Sequence, residues 1–277
     1  MQAVDSENKK NLQSDQWRLH QLNKELSNPE HPFNKFSTGN FKTLYEDPIG
    51  RGVKIRDEFM KFYEDNYSAN RMKLVVLGRE PLDELEGWVE ELFAEVPNRN
   101  YPRLRWDDVE PFTEKELLTQ VFAKPVLDSR VLDIYFPYQD EEEMYESHPS
   151  RYLSHLIGHE GPGSILSYIK NKGWANSLGA GSLPLGPGTA FFTISIRLTE
   201  EGLKHYQEIV KVVFQYIAVI RSVPPQEWIV EEMKTLADVD FRFRQKSPAS
   251  KTASALSGVM QKPYPRHQLM SAPSVIR

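Results

Sequence analysis

The sequence predicts an α+β protein made of two similar domains that each combine a sheet with helices. Apolar and polar residues alternate strictly over Ala190–Leu198, which is typical of a half-buried strand. Apolar residues recur every three or four positions over Pro81–Pro97, which is the spacing of an amphipathic helix. Helices and strands are grouped rather than strictly alternating, and this favours α+β. A proline-rich stretch at residues 97–112 is the predicted linker between domains 1–103 and 104–277.

The first domain is expected to contain three helices and one strand. Leucines recur on one face of residues 5–26, which predicts a helix there. A second helix is expected over Val53–Tyr67. The run Met72–Leu77, with the sequence MKLVVL, ends at Gly78 and predicts a buried strand. The third helix begins at Pro81.

The second domain is expected to contain three strands and four helices. Thr199 is the expected N-cap of the long third helix, because a hydroxyl can accept a hydrogen bond from the first free N–H groups. The tail from Ser247 onward shows no decisive pattern. The predicted elements are, in order, strands at Leu117–Ala123 and Arg130–Phe136, helices at Pro149–His159 and Ser164–Lys172, the strand at Ala190–Leu198, and helices after Thr199 and after Pro225.

Composition narrows the possible classes of function. The 277 residues carry a formal net charge of −5, with acids and bases interspersed, so there is no basic stripe for nucleic acid. No apolar run approaches the ~18 residues of a membrane span, and the first residues lack the apolar core of a signal peptide. Because cysteine is absent, any metal must be bound by His, Asp or Glu. We therefore expect a soluble, cytoplasmic protein without nucleic-acid or membrane partners.

The motif HLIGHEGPGS at residues 155–164 raises the question of a zinc site. His155 and His159 lie one helical turn apart and could supply two ligands. The zinc peptidase motifs HExxH and HxxEH also place a glutamate between the histidines as general base, whereas residues 156–158 are Leu, Ile and Gly. Glu160 follows His159 directly and would point about 100° away on a helix. The motif therefore favours a histidine at a helix end over a metal site.

Glycine-rich turns of this kind could instead bind a peptide. A turn with small side chains beside a strand leaves backbone groups accessible, and an extended peptide can pair with them. From the residues alone, the simpler interpretation remains favoured, in which glycine and proline only make tight turns.

Six longer motifs occur in order along nearly the whole chain and weaken after about residue 247. Together they resemble the insulin-degrading enzyme branch of the pitrilysin family of zinc metallopeptidases. The resemblance implies a peptidase that degrades peptides inside a chamber of two halves, each half containing two similar α+β domains. The motifs are AVDSENKKN at 3–11, DQWRLHQL at 15–22, HPFNKFSTGN at 31–40, HLIGHEGPGSILSYIKNKGW at 155–174, LTEEGL at 198–203 and PPQEWIVEE at 224–232.

The resemblance also implies a metal ligand and a departure from the family. Zn²⁺ in the family is held by the histidines of HxxEH and by a distant glutamate that corresponds to Glu7, but HxxEH occurs nowhere in this sequence. The first domain would then lack its N-terminal part and the second its C-terminal part. We expect a segment of a zinc metalloendopeptidase for insulin-like hormones or pheromones that neither retains Zn²⁺ nor cleaves peptides alone. The alternative is a noncatalytic peptide-binding or regulatory module.

Partners and substrate-binding residues follow from the same resemblance. The partners would be a peptide substrate and either the remainder of the enzyme or a full-length relative, and apolar surface that such a partner covers should be exposed. Trp17 and His20 would line the substrate side near the metal, although the family commonly has an aromatic residue in place of His20. The remaining implied residues form an exosite that anchors the N-terminal end of the substrate by strand addition: His159, Gly161, Gly163, Leu178 and Ala180.

Overall fold

A computed structural model describes all 277 residues, which form helices and one small sheet. This confirms the α+β class. The chain divides into two compact units that are each discontinuous in sequence. The first unit comprises Met1–Glu58, Arg105–Asp140 and Ser150–Pro225, and the second comprises Phe59–Leu104, Glu141–Pro149 and Gln226–Arg277. The proposed domains 1–103 and 104–277 remain a prediction.

Eleven α-helices and three strands make up the regular structure, with short 3-10 or π turns between some of them. None of the helices combines the length and the apolar character needed to cross a bilayer. The strands are β1 (Val131–Tyr138), β2 (Ala175–Gly186) and β3 (Thr189–Leu198). The helices are α1 (Gln2–Asn11), α2 (Asp15–Glu25), α3 (Asp47–Gly50), α4 (Ile55–Asn66), α5 (Leu82–Phe93), α6 (Pro149–Ile157), α7 (Ile165–Asn171), α8 (Glu200–Lys204), α9 (Tyr206–Ser222), α10 (Glu227–Arg242) and α11 (Ala249–Val259).

The sheet has β3 at its centre. All pairing is antiparallel, in the order β1-β3-β2. Ile194 of β3 lies opposite Ile134 of β1 on one side and opposite Ala180 of β2 on the other. The strand predicted from alternation is confirmed, since Ile194 and Ile196 are fully buried. The outer sides of β1 and β2 carry no further strand.

One face of the sheet carries the hydrophobic core of the first unit. Burying one aliphatic side chain contributes roughly 1.5–3 kcal/mol, so this cluster fixes the helices against the sheet. It draws on α6, α7, α9, β2 and β3, and its members are Ile157, Ile165, Leu166, Ile169, Ala175, Leu178, Phe192, Ile194, Ile196, Leu198, Ile209 and Val213.

Two of the predicted strands do not form. The strand predicted at Arg130–Phe136 is confirmed as part of β1, but Met72–Leu77 and Leu117–Ala123 have no regular secondary structure. Residues 73–78 make no backbone hydrogen bond to any other part of the protein. A strand forms only where a neighbour satisfies its N–H and C=O groups, and neither segment has one. These two predictions were therefore wrong for lack of a pairing partner.

The helix predicted over residues 5–26 is interrupted between α1 and α2. At the start of α2, the carboxylate of Asp15 accepts hydrogen bonds from the backbone N–H groups of Val126 at 2.8 Å and Leu127 at 3.1 Å. These two bonds, with a smaller contribution from Arg18, lower the pKa of Asp15. The start of α2 is thereby tied to a distant segment rather than continuing α1.

β2 was not predicted, because its composition is not typical of a strand. Three glycines and Pro184 occur among its twelve residues, and these residues are disfavoured in strands. Pairing with β3 over the whole length of β2 overrides that low propensity.

A buried ion triad joins three segments of the second unit. The side chain of Glu142 is 2% exposed and accepts from Arg103 at 2.6 Å and Lys262 at 2.8 Å. Burial would raise the pKa of Glu142, but the hydrogen bonds from both cations outweigh burial and lower it. Removing either cation would leave a buried charge uncompensated.

His205 interrupts the helix that follows Thr199. Thr199 is the predicted cap, and its hydroxyl accepts from the N–H of Gly202 at 2.9 Å. At the junction of α8 and α9, the ring of His205 lies 2.9 Å from a carboxylate oxygen of Glu208 and 3.1 Å from one of Glu201. It also stacks on Trp174, with centroids 4.7 Å apart. The hydrogen bond with Glu208, followed by the bond with Glu201, raises the pKa of His205 although partial burial opposes the rise.

We expect the stability conferred by His205 to depend on pH. Its pKa in the folded protein lies above the ordinary 6.5, so the folded state binds the proton more tightly than the unfolded state. The contribution is complete below pH 6.5 and is lost as pH rises through the raised folded value. Compared with His205→Gln, the wild type should have a higher Tm at low pH, and the difference should shrink toward alkaline pH. Thermal unfolding at a series of pH values measures this, and a difference independent of pH would contradict it.

Candidate functional site

Glu7 and Trp17 line the same open cleft. The cleft has a volume of about 590 Å³. Both side chains are exposed, which leaves the Glu7 carboxylate available to a ligand. The structure thus brings together two residues that lie on separate helices. The full lining consists of Glu7, Lys10, Asn11, Ser14, Trp17 and Thr38.

Asp5 positions the helix that carries Glu7. Its carboxylate accepts from the Lys9 ammonium at 2.6 Å and from the backbone N–H of Phe41 at 2.9 Å. The hydrogen bond from Lys9, followed by the one from Phe41, lowers the pKa of Asp5. Residues two apart on a helix point about 200° from each other, so tying down Asp5 directs Glu7 away from this contact.

A row of rings connects the cleft to the sheet. Trp17 contacts His20 edge-on at 6.3 Å between centroids, His20 contacts Phe33 at 6.0 Å, and Phe33 contacts Phe191 at 6.3 Å. Phe191 belongs to β3 and alternates with the buried residue Ile194, so it points to the face of the sheet opposite the core. The cleft therefore lies on the side of this second face.

Lys24 is buried beneath the same row without an ion-pair partner. Its ammonium lies 4.5 Å from the centroid of the Phe33 ring, and the residue is 5% exposed. Burial lowers the pKa of Lys24. Burial, together with the charge of Lys24, also lowers the pKa of His20 and of His31. Both histidines are therefore predominantly neutral near pH 7.

The second group of predicted residues forms a turn after α6. A Cβ atom on Gly158 would lie 2.7 Å from the carbonyl oxygen of Ser154, so only glycine fits at this helix end. The Nδ1 atom of His159 accepts from the N–H of Gly161 at 3.0 Å. Gly163 has a φ of +86°, a conformation that favours glycine. His159, Gly161 and Gly163 are thus parts of one turn.

This turn extends from a helix that lies beside β2. A Cβ atom on Gly181 would be 3.6 Å from the Ser154 hydroxyl, and Ile157 shares the core with Leu178. Leu178 is buried and Ala180 is partly buried against the core, so their side chains hold the strand in place. What these two residues can present to a ligand is backbone at the outer edge of β2.

The two groups of predicted residues do not share a cleft. They also form no complete metal site. The lining of the cleft includes no residue of the turn or of β2. His155 and His159 are 6.2 Å apart between ring centroids. No group of three or more His, Cys, Asp or Glu side chains is placed to hold a metal ion.

Several residues of these sites were not identified from the sequence. Lys10, Asn11 and Ser14 follow Glu7 at helical intervals of three, four and seven residues, and this spacing could have indicated a shared face. Ser154 precedes Gly158 by one turn and could have been placed at the same helix end. The position of Thr38 in the cleft depends on tertiary structure and has no local signal.

We expect Gly163→Ala to destabilise the protein by about 1–2 kcal/mol, because the left-handed backbone conformation is unfavourable for alanine. Gly179→Ala is the matched control: no atom lies within 4 Å of the added Cβ, and the stability change should stay within about 0.5 kcal/mol. Denaturant unfolding of both variants measures the difference. Equal effects would show that the turn does not depend on glycine at residue 163.

Comparisons with known proteins identify the family. Residues 54–236 match the model of the Peptidase M16 inactive domain. The A-factor-processing enzyme of Saccharomyces cerevisiae is 46% identical over 265 residues, which cover 95% of this chain and 25% of that protein. The insulin-degrading enzyme of Homo sapiens is 44% identical over 270 residues, covering 98% of this chain and 26% of that protein. The chain thus spans about a quarter of the length of these relatives.

Structural comparison agrees with the sequence matches. A crystal structure of pitrilysin superposes with a TM-score of 0.89 at 26% identity, covering 99% of this chain and 29% of that one. A putative zinc protease of Schizosaccharomyces pombe is 41% identical over 276 residues, covering 100% of this chain and 28% of that protein. The resemblance drawn from the six motifs is confirmed, and the chain belongs to the M16 family of peptidases.

Proposed function

We propose that this chain anchors peptides for a zinc metallopeptidase, by accepting an extended peptide as an additional strand on the outer edge of β2. The observation that carries the proposal is this free edge with the His159 turn beside it. The backbone N–H and C=O groups of an edge strand pair readily with a peptide, and alternate residues direct them outward. A cytoplasmic location is part of the proposal.

The glycines of β2 suit this role. Gly179 and Gly181 lie on the face of β2 opposite the core, alternating with Leu178 and Ala180. No atom lies within 4 Å of a Cβ built on Gly179. Glycine within a strand is typical of sites where another backbone approaches closely. The buried residues would keep the strand fixed while Gly179 leaves room for the peptide.

His159 is oriented as a hydrogen-bond donor. Its Nδ1 atom accepts from the N–H of Gly161, so in the neutral ring the proton must be on Nε2. A protonated Nε2 can donate to a peptide carbonyl or carboxylate but cannot ligate a metal. This geometry supports peptide anchoring and argues against a metal site shared with His155.

The residues present do not fit a complete zinc site. Glu7 is a carboxylate in an open cleft, but no group of three metal-binding side chains surrounds it, whereas a catalytic zinc requires three protein ligands. We propose that Glu7 supplies one ligand to a zinc site whose other ligands lie outside these 277 residues. No catalytic step can be assigned to this chain alone.

The second candidate function is a noncatalytic module that binds peptides or regulates a full-length relative. The observation that favours it is that the peptide edge lies wholly within the first unit, while the metal-binding group is incomplete. The two candidates share the same peptide edge and differ in whether the chain takes part in catalysis.

We expect His159→Ala to weaken the binding of a bradykinin-like or insulin-like peptide about 3- to 10-fold without changing the fold, because one hydrogen bond of about 0.5–1.5 kcal/mol is lost. Isothermal calorimetry measures the affinity. His267→Ala, which removes an exposed histidine of the second unit, is the control and should bind normally.

A series of N-methylated peptides tests the geometry of the same site. Methylation at alternate residues should abolish binding, while methylation at the residues between should have little effect, because only every second N–H of an added strand faces β2. Uniform tolerance along the peptide, or unchanged affinity in His159→Ala, would contradict strand addition beside this turn.

The chain alone should not cleave the same peptides. Incubation with Zn²⁺ in excess should leave them intact, because Glu7 has no partner ligands within the chain. Mass spectrometry of the peptide measures cleavage. Hydrolysis that a chelator abolishes would overturn this prediction and show that the chain holds a complete zinc site.

A further inference from the structure

The face of the sheet opposite the core changes from covered to open along β3. Near the start of this strand, Phe191 is buried against the rings of Phe33 and Phe112. Toward the end of the strand, Ser195 and Arg197 point to the same face as Phe191 and are exposed. The open part of this face therefore carries a cation.

Small residues separate Arg197 from the outer edge of β2. Ser177 lies directly opposite Arg197, and Gly179 lies opposite Ser195. Both β2 residues are exposed and point to the open face. Because neither of them carries a bulky side chain, the long side chain of Arg197 can extend across β2 toward its outer edge.

A peptide added to this edge would come within reach of Arg197. Neighbouring strands are about 4.8 Å apart, so a strand on the outer side of β2 would lie about 10 Å from β3. An extended arginine side chain and a glutamate side chain that point toward each other span this distance. The planar guanidinium can then donate two parallel hydrogen bonds to one carboxylate.

Arg197 has no acidic partner within the protein. Its guanidinium forms neither a hydrogen bond nor an ion pair, and β2 contains no acidic residue. Asp133 of β1 is opposite Ser195, on the side of β3 away from β2. Glu200, which follows β3 closely, binds Arg130 at 3.0 Å instead. An unpaired cation on an exposed face favours a partner of opposite charge.

We propose that Arg197 selects peptides with an acidic side chain, by pairing with that side chain across Ser177 when the peptide is bound at the outer edge of β2. The inference deepens the proposed function, on which it rests, by naming the class of peptide. Successive residues of an added strand point to opposite faces of the sheet, so only every second residue of the peptide can direct a carboxylate toward Arg197.

Paired peptides test this selection with the full chain. The probes are insulin-like peptides with an amidated C-terminus, in which one residue at a time is Glu in one peptide and Gln in the other. Amidation leaves the side chain as the only source of the scanned carboxylate. Calorimetry should show that Glu binds about 2- to 5-fold more tightly than Gln at one position of the scan, as expected for an exposed ion pair. Added salt should reduce this difference.

Variants separate the role of Arg197 from general electrostatic attraction. Arg197→Gln should remove the preference for Glu without changing the affinity for the Gln peptides, and Arg197→Lys should retain part of the preference. Lys211→Gln is the matched control, because it removes one exposed cation from α9, which packs on the opposite face of the sheet. This control should keep the full preference.

The outcomes distinguish this selection from peptide anchoring itself. Gln peptides that bind with the alternating N-methylation pattern, but no more weakly than Glu peptides, would overturn the selection and leave the anchoring intact. A preference for Glu that persists in Arg197→Gln would also overturn it. If no peptide of the series binds, both proposals are wrong.

Discussion

The pairing of β3 with a strand on each side is the constraint on which the first unit depends. Ile194 and Ile196 are fully buried because β1 and β2 flank them and α7 and α9 cover them. β2 contains three glycines and a proline, and β3 is the only strand it pairs with. Without that ladder the glycine-rich edge would not be ordered, and the turn after α6 would have no strand beside it.

Small residues then determine how close α6 comes to this edge. Gly158 allows the helix to end against the Ser154 carbonyl, and Gly181 leaves space for the Ser154 hydroxyl. A Cβ atom at Gly158 would force the helix end to shift, whereas a Cβ atom at Gly181 would make an ordinary van der Waals contact with that hydroxyl. The glycines that looked like simple turn formers in the sequence therefore act through tertiary contacts as well as through local backbone freedom.

Local patterns predicted the elements that have a partner within the chain. The strand predicted from the alternation over residues 190–198 and the cap predicted at Thr199 are both confirmed. β3 has neighbouring strands to pair with, and the Thr199 hydroxyl caps α8 within the same segment. The run 72–77 has an equally strong apolar pattern, but strand formation also depends on a second strand, and the sequence of one segment cannot reveal whether that strand exists. β2 shows the converse, since a neighbouring strand orders residues of low propensity.

The candidate site, too, could be predicted only where it depends on local sequence. The turn at residues 158–163 could be anticipated, because its glycines and the helix end are encoded locally. Its position beside β2 could not, since β2 itself was hidden. Likewise, the spacing of Glu7 and Lys10 indicates one helical face, but the contribution of Thr38 to the cleft requires residues 31–40 to fold back toward α1. The family resemblance identified site residues whose proximity could not be predicted from local sequence patterns.

The outer edge of β2 and the unpaired run 72–77 differ in the side chains beside them. The edge of β2 is flanked by Gly179 and Gly181, so an added strand gains backbone hydrogen bonds but little apolar contact. Such an interaction suits a peptide that must bind and leave, because each hydrogen bond contributes only about 1 kcal/mol. The run 72–77 leaves the same backbone groups unpaired, and Leu74 and Val76 are exposed beside them. Side chains rather than backbone geometry thus distinguish the β2 edge from the run 72–77.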